Sequence, residues 1–188
     1  LALTQKKCPT LNLKSRFPVV NISYLDALNA TQSYSMFMQK AKDVPVVDKV
    51  KAFAVLPSSC EWSFAQRGGL AVSKSELESE QSGIKGLIDD YAFYSSPTSA
   101  NGKVQLPGLK KPNPLGLYDM LGNVSEMMFD RFYVAVEGRS HGQLGGITVR
   151  GGSYLTPKSK LVSSLRTERS FYDNKGQPLK SKDLGVRF

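Results

Sequence analysis

The pattern of hydrophobic and polar positions predicts a long helix early in the chain. Between Tyr24 and Ala41, apolar residues recur at three- and four-residue spacings, as on one face of a helix. Ser23, followed three positions later by Asp26, has the form of a capping box at the helix start. We expect the helix to pack through its apolar face, formed by Leu25, Leu28, Phe37, Met38 and Ala41.

A second helix is predicted within the segment PSSCEWSFAQRGG. Ser58 and Glu61 again have capping-box spacing, which marks the first turn. Trp62 and Ala65 would share the buried face. The glycine pair that ends the segment is a typical helix stop, because glycine readily adopts the left-handed conformation needed there.

The rest of the chain predicts loops and short strands. Residues 70–111 lack periodicity, and only DDYAFYSS, beginning at Asp89, resembles a short strand there. Strand-type runs occur later, in FDRFYVAV, GGITVRGGSYL and LGVRF. Two helices followed by such runs indicate an α+β fold, and the length suits a single domain over residues 1–188.

Composition narrows the classes of partner. The formal net charge is +9, and its densest cluster runs from Lys158 to Lys182. The cluster lacks the regularly interleaved aromatic residues of a single-strand binder, so we expect a solvated basic surface and no nucleic acid. The sequence also lacks a run of about 18 apolar residues, which argues against membrane insertion.

The two cysteines, Cys8 and Cys60, leave two readings open. If they form a disulfide, it could add roughly 4 kcal/mol in the loop-entropy model and would imply an oxidising compartment. If they do not pair, they are two free thiols. We expect Cys60 to be buried with its helix and therefore inert.

Five blocks of sequence resemble the formylglycine-generating enzyme family, also called the sulfatase-modifying factor family. These blocks are FPVVNISYLDA, VLPSSCEWSFAQRGG, KPNPLGLYDMLGNVSEM, VRGGSY and the terminal LGVRF. Their order and spacing match the family across nearly the whole chain. The resemblance implies a C-type-lectin-like fold of the formylglycine-generating type, with two helices, a small twisted antiparallel sheet, much irregular structure and often bound calcium.

The resemblance also locates the positions where catalytic members hold copper with two cysteines. Here those positions are Thr156 and Leu161. A hydroxyl is a poor ligand for copper(I) and an isobutyl group is none, so we expect no copper and no catalytic residues. Related sulfoxide synthases hold iron with several histidines, whereas His141 is the single histidine of this chain, and we expect a structural role for it.

The resemblance assigns a calcium site to the loop that follows Gly122. By that match, the ligands would be Asn123, Val124 through its carbonyl, and Glu126. The alternative is a loop closed by hydrogen bonds that the Asn123 and Glu126 side chains accept from backbone N–H groups. A second calcium loop usual in the family has no counterpart near residues 70–90, so we expect at most one cation.

Other positions within the family blocks are predicted to be structural. Tyr118 would lie in the core, and Asp119 would bond neighbouring backbone. The planar guanidinium groups of three arginines suit buried pairing with carboxylates such as Glu61. These arginines are Arg150, Arg169 and Arg187.

Two further stretches resemble a periplasmic subgroup of the family. SHGQLGG, from Ser140 to Gly146, and LRTE, from Leu165 to Glu168, are similar to regulators encoded with bacterial type VI secretion systems, which are proposed to act on a membrane-spanning kinase. The resemblance implies a non-catalytic, extracytoplasmic module that binds a protein, such as a kinase ectodomain or a secretion-system component. An active sulfatase-modifying oxidase and a lectin-type ligand-binding protein are the alternatives.

Overall fold

The computed structural model describes residues 16–41, 44–47, 49–79, 82–133 and 144–188. Three α-helices occur in these segments: α1 (Tyr24–Ala41), α2 (Ser59–Gln66) and the short α3 (Lys74–Glu78). A two-stranded hairpin pairs β1 (Val46–Val47) with β2 (Val50–Lys51). The four remaining strands form one sheet and are β3 (Ser125–Tyr133), β4 (Leu144–Arg150), β5 (Arg166–Arg169) and β6 (Leu184–Gly185).

Helix α1 has the predicted bounds but not the predicted buried face. Its capping box is present, since the Ser23 N–H donates to Asp26 Oδ2 at 3.0 Å and the Asp26 N–H donates to Ser23 Oγ at 3.2 Å. The buried residues, however, are Ala27, Thr31 and Ser35, whereas Leu25 is 60% exposed. Small side chains let the helix approach the neighbouring backbone closely, and Ser35 Oγ accepts a hydrogen bond from the Ala54 N–H at 2.9 Å.

Helix α2 confirms the second prediction. The Ser58 N–H donates to Glu61 Oε2 at 2.8 Å, and the Glu61 N–H donates to Ser58 Oγ at 3.2 Å. Trp62 is buried on the inner face, and Gly68 follows the helix at a φ of 103°, in the left-handed region. Helix α3 was not predicted, although Ser73 and Glu76 form a capping box of the same spacing and carry the signal for it.

The main sheet has the order β5-β4-β3-β6. Strands β3, β4 and β5 pair antiparallel, but β6 pairs parallel to β3, with Glu126 opposite Gly185. The sheet is therefore mixed, and the prediction of an antiparallel sheet is wrong in this respect. The predicted strand near Asp89 is also wrong, because Ile88–Asp90 is a 3₁₀ turn and Phe93 makes only an isolated bridge to Gly122.

Both faces of the sheet are covered by hydrophobic residues. Met127 and Met128 are adjacent on β3 and fully buried, and they point to opposite faces because side chains alternate along a strand. Met127 joins a cluster with Ile22 and Ala27 on the side of α1. Met128 joins Trp62 of α2 in a second cluster. No helix in the described ranges has the length and hydropathy needed to cross a bilayer.

Candidate functional site

The fold brings Thr156 and Leu161, which the resemblance matches to the copper-binding cysteines of catalytic members, together around Gly152. A Cβ atom placed on Gly152 would lie 2.7 Å from Leu161 Cδ2 and 3.2 Å from Thr156 Oγ1. Gly152 has a φ of 69°, in the left-handed region that favours glycine. The GGS turn thus gathers the two side chains that the resemblance singled out.

The hydroxyl of Thr156 is part of the turn. Its Oγ1 accepts a hydrogen bond from the Ser153 N–H at 2.9 Å, and the Thr156 N–H donates to the Ser153 carbonyl at 2.9 Å. The Thr156 carbonyl in turn accepts from the Ser95 N–H at 2.9 Å. These bonds hold the 153–156 turn against the segment that contains Ser95.

Leu161 belongs to the hydrophobic core. It is 5% exposed and joins the cluster that contains Trp62, Met120 and Met128. The position that the resemblance matches to the second copper-binding cysteine therefore holds an apolar side chain that packs in the interior. Neither Thr156 nor Leu161 offers a soft ligand, so the two side chains do not fit copper(I).

Within the described segments, the cysteines and the histidine of this chain provide no substitute for the copper-binding thiolates. Cys60 is exposed on α2, so the expectation that it is buried is wrong. Cys8 and His141 lie outside the described residues, and the disulfide between Cys8 and Cys60 stays a prediction. Across the described ranges, no three His, Cys, Asp or Glu side chains cluster as metal ligands would.

Asn123, the first predicted calcium ligand, has its side chain fully engaged. Its Oδ1 accepts from the Gln105 N–H at 3.0 Å, and its Nδ2 donates to the Gln105 carbonyl at 3.2 Å. Its carbonyl accepts from the Tyr154 N–H at 2.8 Å. The residue is buried at a φ of 56°, a conformation that Asn tolerates better than most residues. Asn123 thus ties three loop segments together.

Glu126, the third predicted calcium ligand, is bound by two side chains. Trp62 Nε1 donates to its Oε2 at 2.7 Å. Arg187 Nε donates to both carboxylate oxygens, at 2.9 and 3.1 Å, and Arg187 Nη2 lies 2.8 Å from Oε1. With a guanidinium against the carboxylate and the Asn123 amide paired to backbone, the donor set around Val124 does not fit a calcium ion in this arrangement.

Arg169 and Arg187 pair with carboxylates as predicted, but not with Glu61, which caps α2, whereas Arg150 binds backbone carbonyls instead of a carboxylate. Arg150 is buried, lies over the Trp62 ring at 5.0 Å, and donates to the carbonyls of residues 163–165. Burial lowers its pKa. Arg169 pairs with Asp183 at 3.3 Å, and Arg187 pairs with Glu126.

The sequence analysis is wrong about the burial of Tyr118 but right about the hydrogen bonding of Asp119. Tyr118 is 42% exposed, so its assignment to the core is wrong. Asp119 bonds backbone as predicted, since its Oδ2 accepts from the Gly108 N–H at 2.7 Å. Asp119 is buried, and this burial raises the pKa of its carboxyl despite the Gly108 hydrogen bond.

A cleft of about 580 Å³ opens beside Asp119 and was not predicted. Its mostly apolar walls come from four separate parts of the chain: the segment before and within α1, Pro107, the stretch from Gly116 to Glu126, and the last three residues. Exposed rings at Phe17, Tyr118 and Phe188 line it. Neither Thr156 nor Leu161 is among its lining residues.

The basic segment from Lys158 to Lys182 reaches this cleft through one lysine. Lys180 Nζ lies 3.2 Å from Asp26 Oδ2, and Asp26 lines the cleft. Lys160, Lys175 and Lys182 are exposed and form no ion pair with any residue in the described ranges. The segment therefore meets the rim of the cleft through Lys180, which is paired there, and carries unpaired positive charge at three other exposed lysines.

Comparison with protein families assigns the fold. The sulfatase-modifying factor enzyme 1-like domain matches residues 2–188. The chain belongs to this family. Among curated proteins, no match was found.

Three solved structures share the fold of this family member. "Treponema denticola variable protein 1" is 22% identical, with a TM-score of 0.63, over 91% of this chain and 70% of that one. The structure titled "Crystal Structure of CarF" is 23% identical with a TM-score of 0.62, over 91% of this chain and 66% of that one. PvdO from Pseudomonas aeruginosa is 20% identical with a TM-score of 0.59, over 91% of this chain and 60% of that one. The chain thus spans roughly two thirds of the length of these structures.

Proposed function

We propose that this member of the sulfatase-modifying factor family is a non-catalytic, protein-binding regulator that works outside the cytoplasm, in the periplasm. One observation carries the proposal. The positions aligned with the copper ligands hold a hydroxyl engaged in a turn, at Thr156, and a buried core side chain, at Leu161. Without a pair of thiolates, the framework keeps its shape but lacks the soft ligands of the oxidase.

The partner that fits this surface is a protein with an acidic face. Exposed lysines between Lys158 and Lys182 would speed the encounter with negative charge, because surface charges act mainly on association rate and orientation. The subgroup resemblance in the Leu165–Glu168 stretch supports a more specific choice. The partner would be the ectodomain of a membrane kinase or a component of a type VI secretion system.

Copper titration of the purified chain tests the non-catalytic part. We expect no stoichiometric copper(I) binding and no turnover of a cysteine-bearing peptide. A double variant, Thr156→Cys with Leu161→Cys, is the positive control, because both side chains surround Gly152 and their thiolates would be close together. This variant should bind copper(I) more tightly than the parent chain. Thiol-dependent oxidation of the peptide by the parent would refute the proposal.

Affinity capture from the native envelope fraction, followed by binding of the identified partner in purified form, tests the regulatory part. Affinity should fall as salt rises. A charge-reversal variant replaces three lysines by glutamate: Lys160, Lys175 and Lys182. A matched variant with the same net charge replaces three exposed lysines elsewhere: Lys51, Lys74 and Lys103. The first variant should lose much more affinity than the second, and equal losses would remove the basic segment from the interface.

A further inference from the structure

We propose that Arg187 is the internal cation of the Asn123–Glu126 loop and that this loop therefore requires no calcium. The carboxylate of Glu126 is 8% exposed, which makes an uncompensated charge costly there. Arg187 neutralises it through Nε and Nη2, and Trp62 Nε1 adds a third donor. The contact is charge-assisted and involves both carboxylate oxygens, the strongest class of side-chain hydrogen bond.

The guanidinium also binds the kind of oxygens that would bind a hard cation. Arg187 Nη2 donates to the Tyr118 carbonyl at 2.9 Å and to the Asp119 carbonyl at 3.4 Å. One positive group thus holds a carboxylate and two backbone carbonyls, which is the ligand type that calcium uses. A divalent ion at the same place would face repulsion from a guanidinium at hydrogen-bond distance from Glu126.

The parallel pairing of β6 with β3 explains why Arg187 reaches this place. Glu126 lies opposite Gly185 in that pairing, and Arg187 follows Gly185 by two residues. Side chains two residues apart in extended chain project to the same side. Burial alone would lower the pKa of Arg187, but the charge of Glu126 and their hydrogen bond raise it, so the guanidinium remains charged.

Thermal unfolding with millimolar calcium or with a chelator tests the inference. The unfolding temperature of the parent chain should be the same in both solutions. Arg187→Gln removes the charge and should lower it by on the order of 5–10 °C, because breaking a largely buried pair leaves an uncompensated carboxylate. Calcium should then restore part of the loss in this variant, by binding the oxygens that Arg187 has released.

The matched control is Arg169→Gln. Arg169 pairs with Asp183, whose side chain is also 8% exposed, while Arg169 itself is 42% exposed against 34% for Arg187. This variant should lose stability without responding to calcium. If Arg187→Gln does not fold, Arg187→Lys keeps the charge and should stay insensitive to calcium. A calcium-dependent rise in the unfolding temperature of the parent chain, or a fall with chelator, would overturn the inference.

Discussion

Replacing Leu161 with alanine should destabilise the chain strongly, because this side chain is part of the hydrophobic core. Leu161 is 5% exposed and packs in the cluster of Trp62 and Met128. Its Cδ2 would lie only 2.7 Å from a Cβ on Gly152, so the side chain fills the space above that glycine completely. Truncation would leave a cavity that the backbone turn cannot easily close.

The size of the effect follows from the burial. A fully buried leucine costs about 2–5 kcal/mol when cut to alanine, the larger values applying where the cavity persists. We expect about 3 kcal/mol here, since the GGS turn is held in place by its own hydrogen bonds at Thr156. For a domain of this size, that loss corresponds to a fall of roughly 6–12 °C in the unfolding temperature.

Equilibrium unfolding in urea measures this free energy, with the midpoint shifting and the slope unchanged if only the native packing is affected. Val162→Ala is the control, because Val162 is the adjacent residue and is exposed. That variant should stay within about 0.5 kcal/mol of the parent, as surface substitutions usually do. If Leu161→Ala were as stable as Val162→Ala, the assignment of Leu161 to the hydrophobic core would be wrong.

Three further predictions concern other parts of the structure. Burial raises the pKa of Asp119 in the folded state, so the native state loses stability as the pH rises through the pKa of this carboxyl. Asp119→Asn should therefore be more stable than the parent at neutral pH, by a difference that shrinks in acid. Unfolding measured at several pH values checks this. Ser58→Ala removes the cap that accepts from the Glu61 N–H and should cost about 1 kcal/mol in urea unfolding, while no loss would show the cap to be unimportant. Because Cys60 is exposed, it should react with a maleimide in the folded protein under reducing conditions, and labelling that requires unfolding would contradict this.

The capping boxes could be predicted from the sequence because the two residues that form each box lie only three positions apart. Ser23 and Ser58 each meet an acidic side chain three positions on, and both capping boxes are present in the structure. Ser73 and Glu76 have the same spacing and form the capping box of α3. A cap depends on one turn of backbone and hardly on the rest of the fold.

Burial was harder to predict because it depends on what lies opposite each side chain. Leu25 looked like a core residue by periodicity, yet α1 packs through Ala27 and Ser35, since close approach to the backbone at Ala54 needs small side chains. Tyr118 is exposed because it lines an open cleft, and this cleft forms only where four parts of the chain that are distant in sequence meet.

By itself, the sequence determined the family and the α+β class, because these depend on residue types in a fixed order. Only the tertiary structure decided what Glu126 binds. Its partner Arg187 is 61 positions away and is brought close by the parallel pairing of β6 with β3. A buried carboxylate needs a compensating positive charge, but whether a metal ion or a side chain supplies it depends on which groups the fold brings within hydrogen-bond distance.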